Sequence, residues 1–160
     1  MATNLSLYTV GTLTGEEARE AVAWRYGGEY AVYNFPDWAE CAARGWSITD
    51  AAKRENAYFS VRYAGSFLGF FHIMDRSGHV ELGVGIKPEL CGQGHGYALM
   101  ESALETIRQT RGHTPVQLAV RTFNVRAVRC YERAGFTITD KRYEDLGTAP
   151  SEMFIMQTVV

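Results

Sequence analysis

The stretch Val84-Gly-Ile-Lys-Pro-Glu-Leu-Cys-Gly-Gln-Gly-His-Gly-Tyr97 decides how this chain is read. Gly92, Gly94 and Gly96 alternate just after a strand-like run. Beyond them Leu99, Met100, Ala103, Leu104 and Ile107 recur at helical spacing. Positions without side chains let backbone N–H groups approach an anion, and the helix that follows adds the positive end of its dipole. The pattern suits a phosphate or diphosphate. It is not a dinucleotide fingerprint, because Tyr97 stands where the third glycine belongs. It is not a P-loop either, because no Gly-Lys-Ser/Thr follows. Taken alone, a helix start behind a flexible loop is an equal reading.

Working outward, Leu5–Val10 alternates as a first strand, and Thr14-Gly-Glu-Glu offers a hydroxyl cap with carboxylates in the first turn of a helix. Gly27-Gly28 is its stop, which predicts a helix to about Tyr26. Pro36-Asp-Trp-Ala-Glu-Cys-Ala-Ala reads as a short helix with Pro in its first turn, and a second covers Ile48–Arg54. Tyr58–Tyr63, Phe67–Met74 and Val80–Ile86 are rich in aromatic and β-branched residues, with turns at Ala64-Gly65 and Asp75–Gly78, and read as an antiparallel meander. Val116–Val120 is a strand, Val125–Ala134 a helix closed by Gly135, and Phe136–Lys141 and Glu152–Val160 are the last two strands. The order is β-α-α-β-β-β-α-β-α-β-β. Interleaved strands and helices argue for an α/β sheet covered on both faces.

A second pattern lies downstream, in Asn124-Val-Arg-Ala-Val-Arg-Cys-Tyr131-Glu-Arg-Ala-Gly135-Phe136. Here the chain resembles the GNAT superfamily of N-acyltransferases. Members carry an [Arg/Gln]-x-x-Gly-x-[Gly/Ala] turn opening a helix, matched by Cys91-Gly92-Gln93-Gly94-His95-Gly96. Further on comes Asn-x-x-Ala-x-x-x-Tyr-x-x-x-Gly-Phe, matched from Asn124 through Phe136 without a gap. The resemblance is close from about Val80 to Phe136 and loose outside it. It implies one domain over residues 1–160, of α/β (α+β) class. The central mixed sheet would have about seven strands, mostly antiparallel, with strands 4 and 5 splayed apart. Cys91 departs from the pattern's Arg or Gln; its thiol is read as a small filler or as a nucleophile.

The resemblance further implies acetyl-CoA as cofactor and an amine as acceptor, with direct attack in a ternary complex. Asn124 and Tyr131 are seven residues apart, so on a helix they share a face about 10.5 Å apart along the axis. By resemblance Tyr131 protonates the coenzyme A thiolate and Asn124 hydrogen-bonds the pantetheine arm; a phenol pKa of about 10 suits such a donor. Val84, Gly85 and Ile86 hold the pantetheine amides, and the turn from Cys91 through Tyr97 meets the diphosphate. Gly83 and Gly85 lack side chains, which reads as room for the acyl chain. If Asp75–Gly78 is a four-residue loop, His72 falls opposite Glu81, and the pair accepts the amine's proton through a water. A solvated polar pair is the equal alternative, and a one-residue slip would separate the two. Arg126, Arg129 and Arg133 line one helical side, facing the cofactor's phosphates or only solvent. Tyr30, Tyr33, Phe35 and Trp38 fall where the family builds its acceptor wall, although core packing explains at least half of them.

Composition bounds the rest. A length of 160 residues is one domain's worth, and a net charge of −2 argues against a nucleic-acid partner. Cys41, Cys91 and Cys130 are odd in number and widely spaced, which fits reduced thiols and no disulfide framework. No His/Cys/Asp/Glu spacing matches a metal site, and no serine lies in a nucleophile elbow. The opening Met-Ala-Thr-Asn-Leu-Ser has no basic region followed by an apolar one, and no run of about 18 apolar residues occurs. The expectation is a cytoplasmic enzyme with no membrane partner, and by resemblance a homodimer. A coenzyme A-binding sensor without turnover is the alternative, and a nucleotide-dependent oxidoreductase the third reading.

Overall fold

The computed structural model describes residues 4–145 and 150–160. Met1–Thr3, on which part of the leader reading rests, lie outside the described residues. Seven strands form one mixed sheet in the order β1-β2-β3-β4-β5-β7-β6. They are β1 (Tyr8–Thr12), β2 (Tyr58–Tyr63), β3 (Ser66–Arg76), β4 (His79–Ile86), β5 (Pro115–Arg121), β6 (Thr137–Asp145) and β7 (Pro150–Val159). The helices are α1 (Gly15–Ala23), α2 (Trp38–Ala43), α3 (Ala51–Glu55), α4 (His95–Arg111) and α5 (Val125–Arg133). The expected fold class is met. Three helices separate β1 from β2, one for each helical stretch read in the sequence; the third begins at Ala51 rather than Ile48, because Asp50 turns its carboxylate onto the N–H groups of Ala52 and Lys53.

The chain divides into two compact units. The first takes in the described residues through 72 together with 84–93; the second takes in 73–83 and the described residues from 94 onward. In the first, β1 pairs antiparallel with β2 and β2 with β3. Its core gathers Leu13, Ala18, Val22, Trp24, Cys41, Ile48, Tyr58 and Phe70. Helix α1 supplies the apolar face from Ala18, Ala21 and Val22. It is fastened to β2 by Glu17, whose carboxylate accepts from the Ser60 hydroxyl (2.7 Å) and from Arg62 Nε (3.2 Å).

Helix α1 stops earlier than its glycine pair suggests. Trp24 leaves helical space at ψ 142°, and Asn34 then clasps the backbone of Tyr26, accepting from its N–H (2.7 Å) and donating to its carbonyl (3.3 Å). A 3-10 turn at Gly28–Tyr33, unforeseen in the sequence, follows.

In the second unit β5 pairs antiparallel with β7 and β7 with β6. The β4–β5 ladder is parallel and, among the described residues, joins Val80 to Val116 and Glu81 to Gln117. Helix α4 buries Ala98, Leu99, Met100, Ala103, Leu104 and Ile107, the spacing anticipated from sequence. Its C-terminal Arg111 grips Asp75 with two bonds of 3.1 Å.

The β3–β4 turn corrects an expectation. The turn is Ser77-Gly78 alone, with Gly78 at φ 82°, a conformation that costs glycine nothing. Arg76 therefore faces His79, and Met74 rather than His72 faces Glu81. The bond from Lys87 N–H to Leu68 O (2.9 Å) continues the same register at the other end. Among the described residues, no helix is long and apolar enough to cross a membrane.

Candidate active site

The glycine turn is built as the sequence suggested. Pro88–Leu90 makes a 3-10 turn after β4, and the Gln93 amide folds back to donate to Glu89 O (2.7 Å). Gly92 and Gly94 lie at φ 74° and 86°, which a side chain would strain. Gly94 is the N-cap of α4. Among the described residues, no side chain caps this helix, and no acidic residue occupies its first turn. The first N–H groups of a helix have no partner within it, and here their surroundings are open: a Cβ on Gly94 would meet nothing within 4 Å. An uncapped N-terminus, free of carboxylates and approachable along a glycine backbone, fits a diphosphate.

Cys91 turns inward, its thiol near Lys87 O (3.6 Å) and Ile86 O (3.8 Å), closing the turn that precedes the glycines. At the same place Tyr26, which sequence reasoning missed, donates its hydroxyl to Ile86 O (2.6 Å). Burial pushes the Tyr26 phenol well up, with Cys91 and Glu89 adding to the effect, so it stays a proton donor. The contact joins residues 60 apart and left no local signal.

Val84, Gly85 and Ile86 are half-buried in the last part of β4. Gly85 is needed for a different reason than room for an acyl chain. The Phe70 ring fills its missing side chain: a Cβ there would come within 2.5 Å of it. Phe70 in turn packs beside Trp24 and Tyr58.

Asn124 opens α5, its side-chain oxygen accepting from Ala127 N–H (3.2 Å), so its carbonyl end serves the helix. Tyr131 is half-buried two turns along, its ring 6.3 Å from that of Phe136. Gly135, at φ 101°, ends the motif helix. Arg133 lies over the Tyr97 ring of α4 at 4.1 Å while remaining exposed. Arg126 and Arg129 are exposed. His95, Gly96 and Tyr97 form the half-buried first turn of α4.

Glu81 accepts from Arg76 Nε (2.8 Å), and the His72 ring stacks on Tyr58 at 3.8 Å and 10°. Two more sequence candidates are taken by packing. Phe35 meets Trp46 edge-on, Trp38 lies under Arg19 at 4.3 Å, and both Phe35 and Trp38 pack on the first unit's core. Tyr30 and Tyr33 stack on each other, half-buried, with ring centres 6.5 Å apart.

The chain matches the acetyltransferase (GNAT) family over residues 16–136, a span that includes both motifs. It belongs to the GNAT family. This GNAT chain is similar to mycothiol acetyltransferases. It is 30% identical to the one from Thermobispora bispora over 139 residues, covering 78% of this chain and 45% of that protein. It is 35% identical to the one from Salinispora tropica over 105 residues, covering 57% and 34%. The chain thus spans less than half the length of these curated relatives. Among solved structures, the fold is similar to mutant forms of the spermidine/spermine N-acetyltransferase from Vibrio cholerae, with a TM-score of 0.73, 19% identity and 95% and 94% of the two chains covered. It is also similar to a Salmonella typhimurium protein solved with its cofactor acetyl-CoA, with a TM-score of 0.65, 16% identity and 95% and 93% covered. The ribosomal-protein-S18-alanine N-acetyltransferase from Escherichia coli matches with a TM-score of 0.67, 20% identity and 96% and 94% covered.

Proposed function

We propose that residues 1–160 act as one N-acetyltransferase domain that moves an acetyl group from acetyl-CoA to a primary amine by direct attack. The observation that carries this reading is the uncapped, acid-free N-terminus of α4 behind two left-handed glycines, within the matched family span.

Acetyl-CoA, when bound, supplies the activated thioester. In this reading the backbone N–H groups of Gly92 through Tyr97 bind its diphosphate, with Gln93 and Cys91 keeping the turn in shape. Val84, Gly85 and Ile86 orient the pantetheine arm, and Asn124 and Arg126 add contacts from the start of α5. Tyr131 Oη donates a proton to the sulfur that leaves. Glu81 takes up the amine's proton through a water, with Arg76 orienting its carboxylate in the place foreseen for His72. Tyr30 and Tyr33 contact the acceptor; Phe35 and Trp38 support that wall from behind. The acceptor is an amine-bearing small molecule or a protein or peptide, as spermidine and a ribosomal-protein alanine are in the names of two neighbours in fold, and the enzyme works in the cytoplasm.

The test is thiol release from acetyl-CoA with spermidine, an alanyl peptide and glucosamine. Turnover with at least one amine is expected. Tyr131→Phe is expected to lower kcat by roughly a hundredfold or more while acetyl-CoA affinity holds. Acetyl-CoA binding with no thiol release for any amine would mean a sensor of the cofactor instead.

A further inference from the structure

Four polar residues stand side by side across the second unit. The register pairs Glu81 of β4 with Gln117 of β5, Gln117 with Gln157 of β7, and Gln157 with Thr137 of β6. Directly paired residues share one face of a sheet, so this is a single row. The buried residues beside it, Val80, Leu82, Val116, Leu118 and Met156, belong to the opposite face.

Within the row one contact is made: Gln157 Nε2 donates to Gln117 Oε1 at 2.9 Å. That bond fixes the Gln117 amide. Its oxygen is committed to Gln157, which leaves its two N–H donors for another partner. On β4, Glu81 Oε2 accepts from Arg76. Among the described residues, Oε1 of the same carboxylate accepts no bond. Strands are spaced by about 4.8 Å, a separation that a single water closes when a donor faces an acceptor. On β5 the residues flanking Gln117 on its face, Pro115 and Ala119, bring no side-chain donor. From β3 come Arg76 and Met74, with His72 further along stacked on Tyr58; on β4 itself, His79 is two residues away.

We propose that Gln117, aimed by Gln157, is a positioning residue that pins the water between itself and Glu81 Oε1. This rests on the reading of Glu81 as base. The proton of the attacking amine passes to that water's oxygen as the water gives one of its own to Glu81 Oε1. The water is restored and the carboxylate ends protonated, so no further reactant is needed. Gln117 touches neither the amine nor the thioester; it donates to one lone pair of the water, leaving the other for the amine's proton and a water hydrogen directed at Glu81.

The test uses Gln117→Met, which keeps length and removes both donors, read alone and together with Glu81→Gln. Kinetics are measured on the fastest amine of the panel. Gln117→Met is expected to lower kcat about tenfold, with KM for acetyl-CoA within about twofold and the melting temperature nearly unchanged. In the Glu81→Gln background the same change is expected to cost nothing more, the mark of two groups acting as a unit. Gln157→Met attacks the arrangement from the other side without touching β5, and a smaller kcat loss of about threefold is expected. It carries the test should Gln117→Met not fold. Gln117→Met at wild-type kcat, or an equal loss with and without the Glu81 carboxylate, overturns the proposal while leaving the base assignment standing. Wild-type kcat in Glu81→Gln removes the base assignment and this proposal together.

Discussion

Helices α1 and α4 both begin behind a loop, and the difference between their first turns separates a structural helix start from one suited to a ligand. At α1, Thr14 accepts from Glu17 N–H and Glu17 returns the bond to Thr14 N–H, each at 3.1 Å. Two carboxylates, Glu16 and Glu17, already occupy the positive end. At α4 the N-cap is Gly94, the first turn has no acid, and no side chain reaches back. The same orphan N–H groups exist at both ends. The chain consumes them in one place and leaves them approachable in the other.

Giving α4 a carboxylate of its own breaks the contrast most directly. Gly94→Asp is expected to weaken acetyl-CoA about 30-fold in a calorimetric titration, since Asp tolerates positive φ yet sets a negative charge at the proposed diphosphate site. Unchanged affinity would mean the diphosphate binds elsewhere.

Glu17→Gln probes the other helix and is expected to cost about 2 kcal/mol in urea unfolding without altering acetyl-CoA affinity. Burial works to raise the Glu17 carboxyl, but bonds from Arg62, Ser60 and Thr14 outweigh it and hold the group below the usual carboxylate range. A carboxyl lowered by folding stabilises above its unfolded value, about 4.3, and that stability is lost as pH falls through the folded value. The wild-type advantage over Glu17→Gln is therefore expected to be flat near neutrality and to shrink below about pH 4. An advantage that does not shrink in acid contradicts the assigned cause. Thr14→Ala, which removes one side of the capping box, is the mildest change, at about 1 kcal/mol, again with acetyl-CoA affinity intact.

What was legible in the sequence was whatever neighbouring residues encode together. Strand β2 was read to its exact ends, because aromatic and β-branched residues run unbroken from Tyr58 to Tyr63. Helix α4 was bracketed by its glycines at Gly94 and Gly112, and α5 by Asn124 and Gly135. The backbone of the glycine turn belongs to the same kind, since its left-handed glycines need no distant partner. Features decided across the chain were misread or missed. Gly85 looked like open space until Phe70, fifteen residues back, was seen to fill it. Asp75-Arg-Ser-Gly allowed a loop of four or of two residues, and only the longer one aligned His72 with Glu81. The Tyr26–Ile86 bond and the Gln117–Gln157 pair join strands and loops far apart in sequence, where no periodicity signals them.

The contrast between the two helix starts is tested most directly by an amide-resolved NMR titration of the labelled protein with acetyl-CoA. The N–H signals of Gly92, Gln93, Gly94, His95 and Gly96 are expected to shift in step with binding, while those of Gly15, Glu16 and Glu17 stay where they are. Saturation with the α4 signals unmoved would contradict the account.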